Sequence, residues 1–400
     1  MPDYASINGV AAADIASING VSKAGIATVS GAATPASGAS RWVVASAGGY
    51  ILHAANSDLT SWSSYDCATD SPNSIALASG KNSAGQIIYV AGTDAASREL
   101  LVSGTDITAA HTFTDVNISP NDDQYAVSWG AKSDGATAGV WMSAGDDGLV
   151  MRSTDGAATW SAVNMSSTNL GTKVIWGIAN NGAGKWAFAA GSAYLYVSTD
   201  DGASFSESEP WGTDTPGKIK GIIYTKNAGG GGSWVIAYSR SSTVHFRSCS
   251  DSDLTDWSAE FSVNSTNFPA RASNGTGASV TFANPSSQEE FIRMAAYNGK
   301  IVACSTADEV LISFDVDGKT ISNGTFRDGN KSDETGLDLD SGDLCASLAT
   351  DGTTWVLSCR GGDIHTSTDG DTWTRVLNDE SLGGSQRHLN AVACDVLLPL

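Results

Sequence analysis

One short motif returns about every 50 residues along the chain, and a fixed period of that size means a repeat architecture in which each copy is one supersecondary unit. Its clearest copies are Ser153-Thr154-Asp155-Gly156-Ala157-Ala158-Thr159-Trp160, Ser198-Thr199-Asp200-Asp201-Gly202-Ala203-Ser204-Phe205 and Ser367-Thr368-Asp369-Gly370-Asp371-Thr372-Trp373. Weaker copies run through Asp58 to Trp62, Asp253 to Trp257 and Asp315 to Thr320, and a degraded one surrounds Asp106. The key acids are therefore Asp58, Asp106, Asp155, Asp200, Asp253, Asp315 and Asp369, and the aromatics that close the motif are Trp62, Trp160, Phe205, Trp257 and Trp373.

Three short apolar runs precede each turn. In the fourth unit they are Val174 to Ala179, Lys185 to Ala190 and Tyr194 to Ser198; in the seventh, Leu344 to Ala349, Thr354 to Cys359 and Asp363 to Ser367. Runs of this length bounded by Gly, Asn, Asp and Ser read as strands. The aromatic that ends the motif begins a fourth strand. The expected fold is all-β: a seven-bladed β-propeller of four-stranded antiparallel blades. The first unit lacks an inner strand and opens at Arg41-Trp42-Val43-Val44-Ala45, whereas Leu389 to Asp395 matches the inner-strand pattern and has no unit after it. The C-terminal strand is therefore expected to complete the first blade, closing the ring and removing free sheet edges. Inner strands are rich in small residues, as in Ser74 to Ser79, which suits a crowded central channel.

The turns resemble the Asp-box, also called the BNR repeat, of pattern Ser-x-Asp-x-Gly-x-Thr-Trp. Asp200 and Gly202 match its acid and glycine, Ala157 replaces the glycine in the third copy, the sixth copy is one residue long and the seventh one residue short. The resemblance covers roughly residues 41 to 396 and implies that each motif lies on the hairpin between the third and fourth strands of a blade. Asp and Ser side chains suit that place because they bond the turn's own amides. Sialidases, xyloglucanases, sorting receptors, photosystem assembly factors and phage proteins carry the box, so the resemblance speaks to fold and leaves function open.

Residues 1–40 differ in kind from the domain of residues 41–400. Ala5-Ser6-Ile7-Asn8-Gly9-Val10 returns as Ala16-Ser17-Ile18-Asn19-Gly20-Val21 and decays into Ala27 to Ala32, a period of 11 residues. Tyr4, Ile7, Val10, Ile15, Ile18, Val21, Ile26 and Val29 are its bulky apolar positions, too few per copy for a private core. These are the expected docking residues of an extended arm, followed by an Ala/Ser/Gly/Pro linker over 32–40. The modules are similar to N-terminal segments of structural proteins of tailed phages, marine ones especially. That resemblance implies a structural virion component of tail, baseplate or appendage, present in multiple copies. Its arm would bind other virion proteins and its propeller would serve assembly contacts or a host-surface glycan. It would be assembled in the host cytoplasm and reside in the virion. The alternative is a stand-alone Asp-box carbohydrate-binding protein or glycoside hydrolase.

Composition narrows the partners. With 22 basic and 43 acidic residues and a net charge of −21, nucleic acid and anionic membranes are excluded as expected partners. No apolar run reaches the ~18 residues needed to span a bilayer, and the first residues lack the pattern of a secretory signal. Six Asn-x-Ser/Thr sequons, beginning at Asn117, read as chance in a Ser/Thr-rich chain. The six cysteines form no Cys-x-x-Cys pair; Cys304, Cys345, Cys359 and Cys394 fall in strands and read as buried thiols, with a Cys345–Cys359 bridge as the alternative, and Cys67 falls in a loop. His53, His245 and His365 fall in third strands and read as packing residues. Hydrolase, zincin and phosphate-loop motifs are absent from the sequence, so no enzyme activity, cofactor or metal is expected. The acidic stretch Asp333 to Asp343 lacks the spacing of a calcium loop and reads as a solvated loop between the sixth and seventh blades.

Overall fold

The computed structural model describes residues 6–7, 10–11, 17–18, 21–22, 41–66, 74–95, 98–108, 113–116, 118, 122–190, 194–209, 211, 218–227, 229–240, 243–263, 267, 292–305, 310–328, 344–378 and 388–398. The chain divides into two compact units, residues 1–39 and residues 40–400.

The larger unit is seven four-stranded antiparallel sheets, each wound in sequence order from an inner to an outer strand. Blade 1 is the exception, because its inner strand is Leu389–Cys394, followed outward by Arg41–Ser46, Tyr50–Ala55 and Asp58–Asp66. Inner strands of blades 2 to 7 are Ser74–Lys81, Ala126–Gly130, Ile175–Asn180, Lys218–Lys226, Ile292–Tyr297 and Cys345–Thr350. The expected closure is observed: Leu389 pairs with Ser46, Val392 with Val44 and Cys394 with Trp42.

Second strands explain why blades form. Val140–Ala144, Trp186–Ala190 and Trp355–Cys359 are buried at every position, since a blade is covered on both faces by its neighbours. Such strands read as continuous apolar runs rather than alternating ones. The core is accordingly not one mass but seven clusters, each between adjacent blades. The cluster of Trp42, Val44 and Leu52 with Val356 and Ile364 joins blade 1 to blade 7, so the closing interface is packed like the others. Among the described residues the one helical turn is the 3-10 segment Asp146–Gly148, and no helix is long and apolar enough to cross a membrane.

Cys345 and Cys359 face each other across the ladder of blade 7. They are nonetheless thiols, as are Cys249, Cys304 and Cys394, all buried; Cys67 lies outside the described residues.

The smaller unit carries two hairpins of the same design. Ser6–Ile7 pairs with Val10–Ala11, with Ile7 opposite Val10. Ser17–Ile18 pairs with Val21–Ser22, with Ile18 opposite Val21.

Candidate functional site

The antiparallel winding places first-to-second and third-to-fourth turns on one face of the ring. Six of the seven motif acids fall at third-to-fourth turns and Asp315 lies just before one, and together they build three different structures. In blades 3 and 4 the turn is wrapped around the acid. Ser153 Oγ and Ser198 Oγ donate to Asp155 and Asp200 at 2.8 and 2.7 Å. The amides of Thr159 and Ser204 donate to the same carboxylates at 2.9 and 3.0 Å, and the amides of Ala157 and Gly202 close onto the serines at 3.1 and 2.9 Å. Two successive residues are left-handed in each: Gly156 and Ala157 at φ 78° and 67°, Asp201 and Gly202 at 59° and 74°. Blade 7 has the same turn with one left-handed residue, Gly370 at φ 74°, which is the physical content of its missing residue.

Blades 1, 2 and 5 use a tighter form. Asp58, Asp106 and Asp253 accept both the amide and the hydroxyl of the threonine two residues on, with amide distances of 3.0, 3.0 and 2.8 Å. These acids are exposed, and hydrogen bonds from Thr60, Thr108 and Thr255 hold their carboxyls below the usual range. Asp315 does neither. It lies inside the strand Val310–Asp317 and accepts from Asn323 Nδ2 across the hairpin at 2.7 Å. At Asp369 burial opposes the charge, but the amides of Thr372 and Asp371 and the hydroxyls of Ser367 and Thr372 outweigh it and bring the pKa down to about 2.

Each closing aromatic enters a cluster shared with the preceding blade. Trp160 reaches the cluster of blades 2 and 3, Phe205 that of 3 and 4, Trp257 that of 4 and 5, and Trp373 that of 6 and 7. Trp62 reaches the closing cluster of blades 7 and 1. Trp373 is 1 % exposed, whereas Trp62 and Trp160 are half-buried. The indoles of Trp62, Trp160 and Trp257 donate to the carbonyl three residues back, at 2.8, 3.2 and 2.7 Å.

A second set of acids, which carry no motif of their own, fastens the turns of blades 4 to 7 to the blade before each. Asp201 accepts the amide and hydroxyl of Ser133 at 2.8 and 2.6 Å. Asp251 accepts from Trp234 Nε1 within its own blade, and from Lys185 and Asn181 of blade 4, at 2.8, 3.0 and 3.1 Å. Asp317 accepts from Asn227 at 2.8 Å, and Asp371 from Lys300 at 2.6 Å and from Ser313 of the same blade as Lys300. The only sequence signal for these residues is their place one or two residues from the motif acid.

The central channel is a different environment. Its mouth on the face away from the acidic turns is a cavity of about 170 Å³ lined by inner strands of all seven blades. Small inner-strand residues line it as expected, among them Ala76, Ala126, Gly177, Gly221 and Ala391, but Tyr125, Trp176, Lys220 and Arg293 line it too. A register shift between inner and second strands occurs near this end in blades 1, 2, 4, 5 and 7. In blade 5 the extra residue is Lys220, between Ile219 and Gly221, and in blade 4 the shift spans Trp176. A bulge re-aims a side chain, which is how a lysine comes to line a channel. The Lys220 ammonium stands over the Trp176 ring at 5.3 Å, and that ring lies 4.5 Å from Tyr125. Arg293, from blade 6, donates across the channel to the carbonyls of Ile75 and Tyr125 at 3.1 and 3.4 Å, bracing blades 2 and 3. Burial, and secondarily the neighbouring Arg360, lower its pKa. Arg360 Nε is itself buried and has no hydrogen-bond partner. His388, lowered by burial and then by Arg360, sits in the same positive region.

The other mouth is mainly apolar, with the Lys81 ammonium over the Trp129 ring at 5.9 Å. A cavity of about 490 Å³ is lined there by Trp129, Met294, Leu348 and the residues after the closing strand, Val396 to Leu398.

The structure does not bring the third-strand histidines together. His53 lies in blade 1, His245 in blade 5 beside Ser262 at 2.9 Å, and His365 in blade 7, fully buried, 3.8 Å from Asp363. Among the described residues no group of three or more His, Cys, Asp or Glu could hold a metal ion. Asp333 to Asp343, and the arm positions Tyr4, Ile15, Ile26 and Val29, lie outside the described residues.

No protein-family model matches the chain, and no curated protein matches it either. Solved propellers resemble it in fold. YCF48 bound to a D1 peptide is 13 % identical with a TM-score of 0.44, covering 76 % of this chain and 81 % of its own. YCF48 from Cyanidioschyzon merolae gives 12 %, 0.44, 76 % and 84 %. The β-propeller domain of Myceliophteria thermophila Cps50 (Swd1) gives 8 %, 0.47, 82 % and 96 %.

Proposed function

We propose that this chain is a structural component of a tailed-bacteriophage particle. The arm of residues 1–40 docks onto other virion proteins, and the propeller serves assembly contacts or host-surface binding. The observation that carries the reading is the pair of equivalent hairpins in the arm, whose registers repeat after 11 residues. Hairpins of two-residue strands are not stable alone in water. Equivalent units at equal spacing suit a partner that offers equivalent sites, as a symmetric assembly does. The docking residues are Tyr4, Ile7, Val10, Ile15, Ile18, Val21, Ile26 and Val29; burial of each such side chain contributes about 1.5–3 kcal/mol. The likeness of the 11-residue modules to phage structural proteins supports the same assignment.

The reading gives the propeller no catalytic role. A glycosidase needs two carboxylates facing one cavity, about 5–10 Å apart. Neither channel cavity has an Asp or Glu among its described lining residues. A stand-alone glycan-binding protein is the second reading, favoured by the aromatic pair Tyr125 and Trp176 at the channel.

Deleting residues 1–32 tests the assignment. The expected product is a folded, monomeric propeller that no longer joins particles. Incorporation of the deleted protein at normal copy number would overturn the docking role and leave the second reading.

A further inference from the structure

We propose that Asn323 is a site of spontaneous deamidation, and that its conversion to a carboxylate facing Asp315 loosens the outer hairpin of blade 6. This inference does not rest on the particle assignment, because the chemistry needs only water and the chain itself.

Asn-Gly pairs lie among the described residues at Asn181, Asn298 and Asn323. Asparagine is a thermolabile residue, and a glycine after it has no side chain to obstruct attack by its own backbone nitrogen. In that reaction the glycine nitrogen adds to the asparagine Cγ. A five-membered succinimide closes as the new C–N bond forms and the Cγ–Nδ2 bond breaks, and the proton of the glycine amide leaves with Nδ2 as ammonia. Water then opens the ring at either carbonyl, giving aspartate or isoaspartate. The side-chain amide must therefore be able to turn, the glycine nitrogen must be available, and water must reach both.

The fold locks two of these pairs. Asn181 is 7 % exposed, its Oδ1 accepts the amides of Ala183 and Lys185 at 2.9 and 3.1 Å, and its Nδ2 donates to Asp251. The Gly182 amide donates to Asn180 Oδ1 at 3.0 Å. Asn298 is exposed, but the amide of buried Gly299 donates to Thr225 Oγ1 at 3.1 Å, so the nucleophile is held. Asn323 differs from both. It is exposed and left-handed, at φ 54°. The ladder slips around it: Ser313 pairs with Thr325 and Asp315 with Ser322, so Asn323 and Gly324 together oppose Phe314. A bulge of this kind disrupts the ladder that otherwise restrains a strand residue. The side-chain hydrogen bond of Asn323 runs from Nδ2 to Asp315 Oδ2 at 2.7 Å. That bond sets the consequence. Conversion puts a carboxylate oxygen where a donor stood, and like charges opposed across a ladder destabilise it. The same stretch carries Phe314 and Val316, buried between blades 5 and 6 with Ile321 packed against their cluster, so the disturbance reaches an interblade core.

The full chain is held in warm, mildly alkaline buffer and sampled by peptide mapping with mass spectrometry, beside a synthetic peptide of residues 318–328. Conversion at Asn323 is expected to run at least tenfold faster than at Asn181 or Asn298. Thr225→Val, which removes the acceptor of the Gly299 amide, is expected to raise conversion at Asn298 and to leave that at Asn323 unchanged. Asn323→Asp is expected to lower the thermal midpoint by several degrees. Adding Asp315→Asn to that variant returns one donor to the pair and is expected to recover most of the loss. An intact Asn323 after the free peptide has converted, or conversion at Asn181 or Asn298 ahead of it, would overturn the modification site. An unchanged midpoint in Asn323→Asp, or no recovery in the double variant, would overturn the effect on the hairpin.

Discussion

The acidic-turn face and the far mouth of the channel hold their cations in different ways. On the acidic-turn face, cations and carboxylates close on one another between blades: Lys185 with Asp251 at 3.0 Å, Lys300 with Asp371 at 2.6 Å, Lys319 with Asp256 at 2.6 Å. At the far mouth of the channel, the cavity is lined by Lys220, whose ammonium stands over the Trp176 ring at 5.3 Å, and by Arg293, which donates to the carbonyls of Ile75 and Tyr125. A face whose charges satisfy each other is architecture, and its regular motifs hold a ring together. A mouth whose cations lean on an aromatic ring and on backbone carbonyls braces the inner strands of several blades at once.

That contrast can be broken or sharpened by experiment. The largest expected effect is removal of the closing strand. Deleting residues 389–400 opens the ring at Trp42–Ser46 and should remove stability comparable with the whole, about 5–15 kcal/mol, so that cooperative melting in calorimetry is lost. A sharp single transition would show that the closing interface is dispensable.

Next in size is Trp373→Ala, which empties the site of a fully buried ring between blades 6 and 7 and should cost about 3–5 kcal/mol in urea denaturation. The same change at half-buried Trp160 should cost clearly less.

Asp251→Asn and Lys220→Met test the two faces directly. The first weakens the acceptor for Trp234, Lys185 and Asn181 and should cost about 1–3 kcal/mol. The second takes a buried ammonium off the face of the Trp176 ring and should cost less, about 0.5–2 kcal/mol. Equal losses from both would erase the distinction drawn here.

A smaller effect is pH dependence. The Asp369 carboxyl is held down to about 2, below the ~3.9 of an unfolded aspartate. Its contribution is therefore complete above about pH 4 and is lost as pH falls through 2. Urea midpoints between pH 5 and 2 should drop, and Asp369→Asn should flatten that drop.

Smallest is Ala157→Gly. Relief of a left-handed alanine, about 1 kcal/mol, opposes loss of a buried methyl worth about 0.8 kcal/mol, so stability should change by less than about 0.5 kcal/mol.

What could be read from the chain follows the same division. Blade number, ring closure and the turn positions were legible because each depends on spacing, and spacing survives in a sequence. The Asp-Leu and Asp-Ile turns at Asp58, Asp106 and Asp253 read as decayed copies of the full motif. They are instead a separate turn, with the acid bonded two residues on rather than four. Lys220, Trp176, Arg293 and Arg360 share no motif. Lys220 and Trp176 sit at register shifts, where the alternation that assigns a strand's two faces breaks down, so nothing in their spacing marks them as neighbours. The acids Asp201, Asp251, Asp317 and Asp371 escaped notice because the conspicuous aspartate beside each drew the assignment.

The pairing of residue 42 with residue 394 also orders events in time. During synthesis the edge strand Arg41–Ser46 emerges early, and its partner Leu389–Cys394 follows every other strand of the ring. At about 5–20 residues per second, that edge waits on the order of tens of seconds with its backbone groups open. Until then blade 1 is a three-stranded sheet with a receptive flank, and a neighbouring nascent copy of the chain offers the same inner strand as its own. High ribosome density on one message should therefore yield strand-exchanged dimers, and slow dilute synthesis should yield closed monomeric rings.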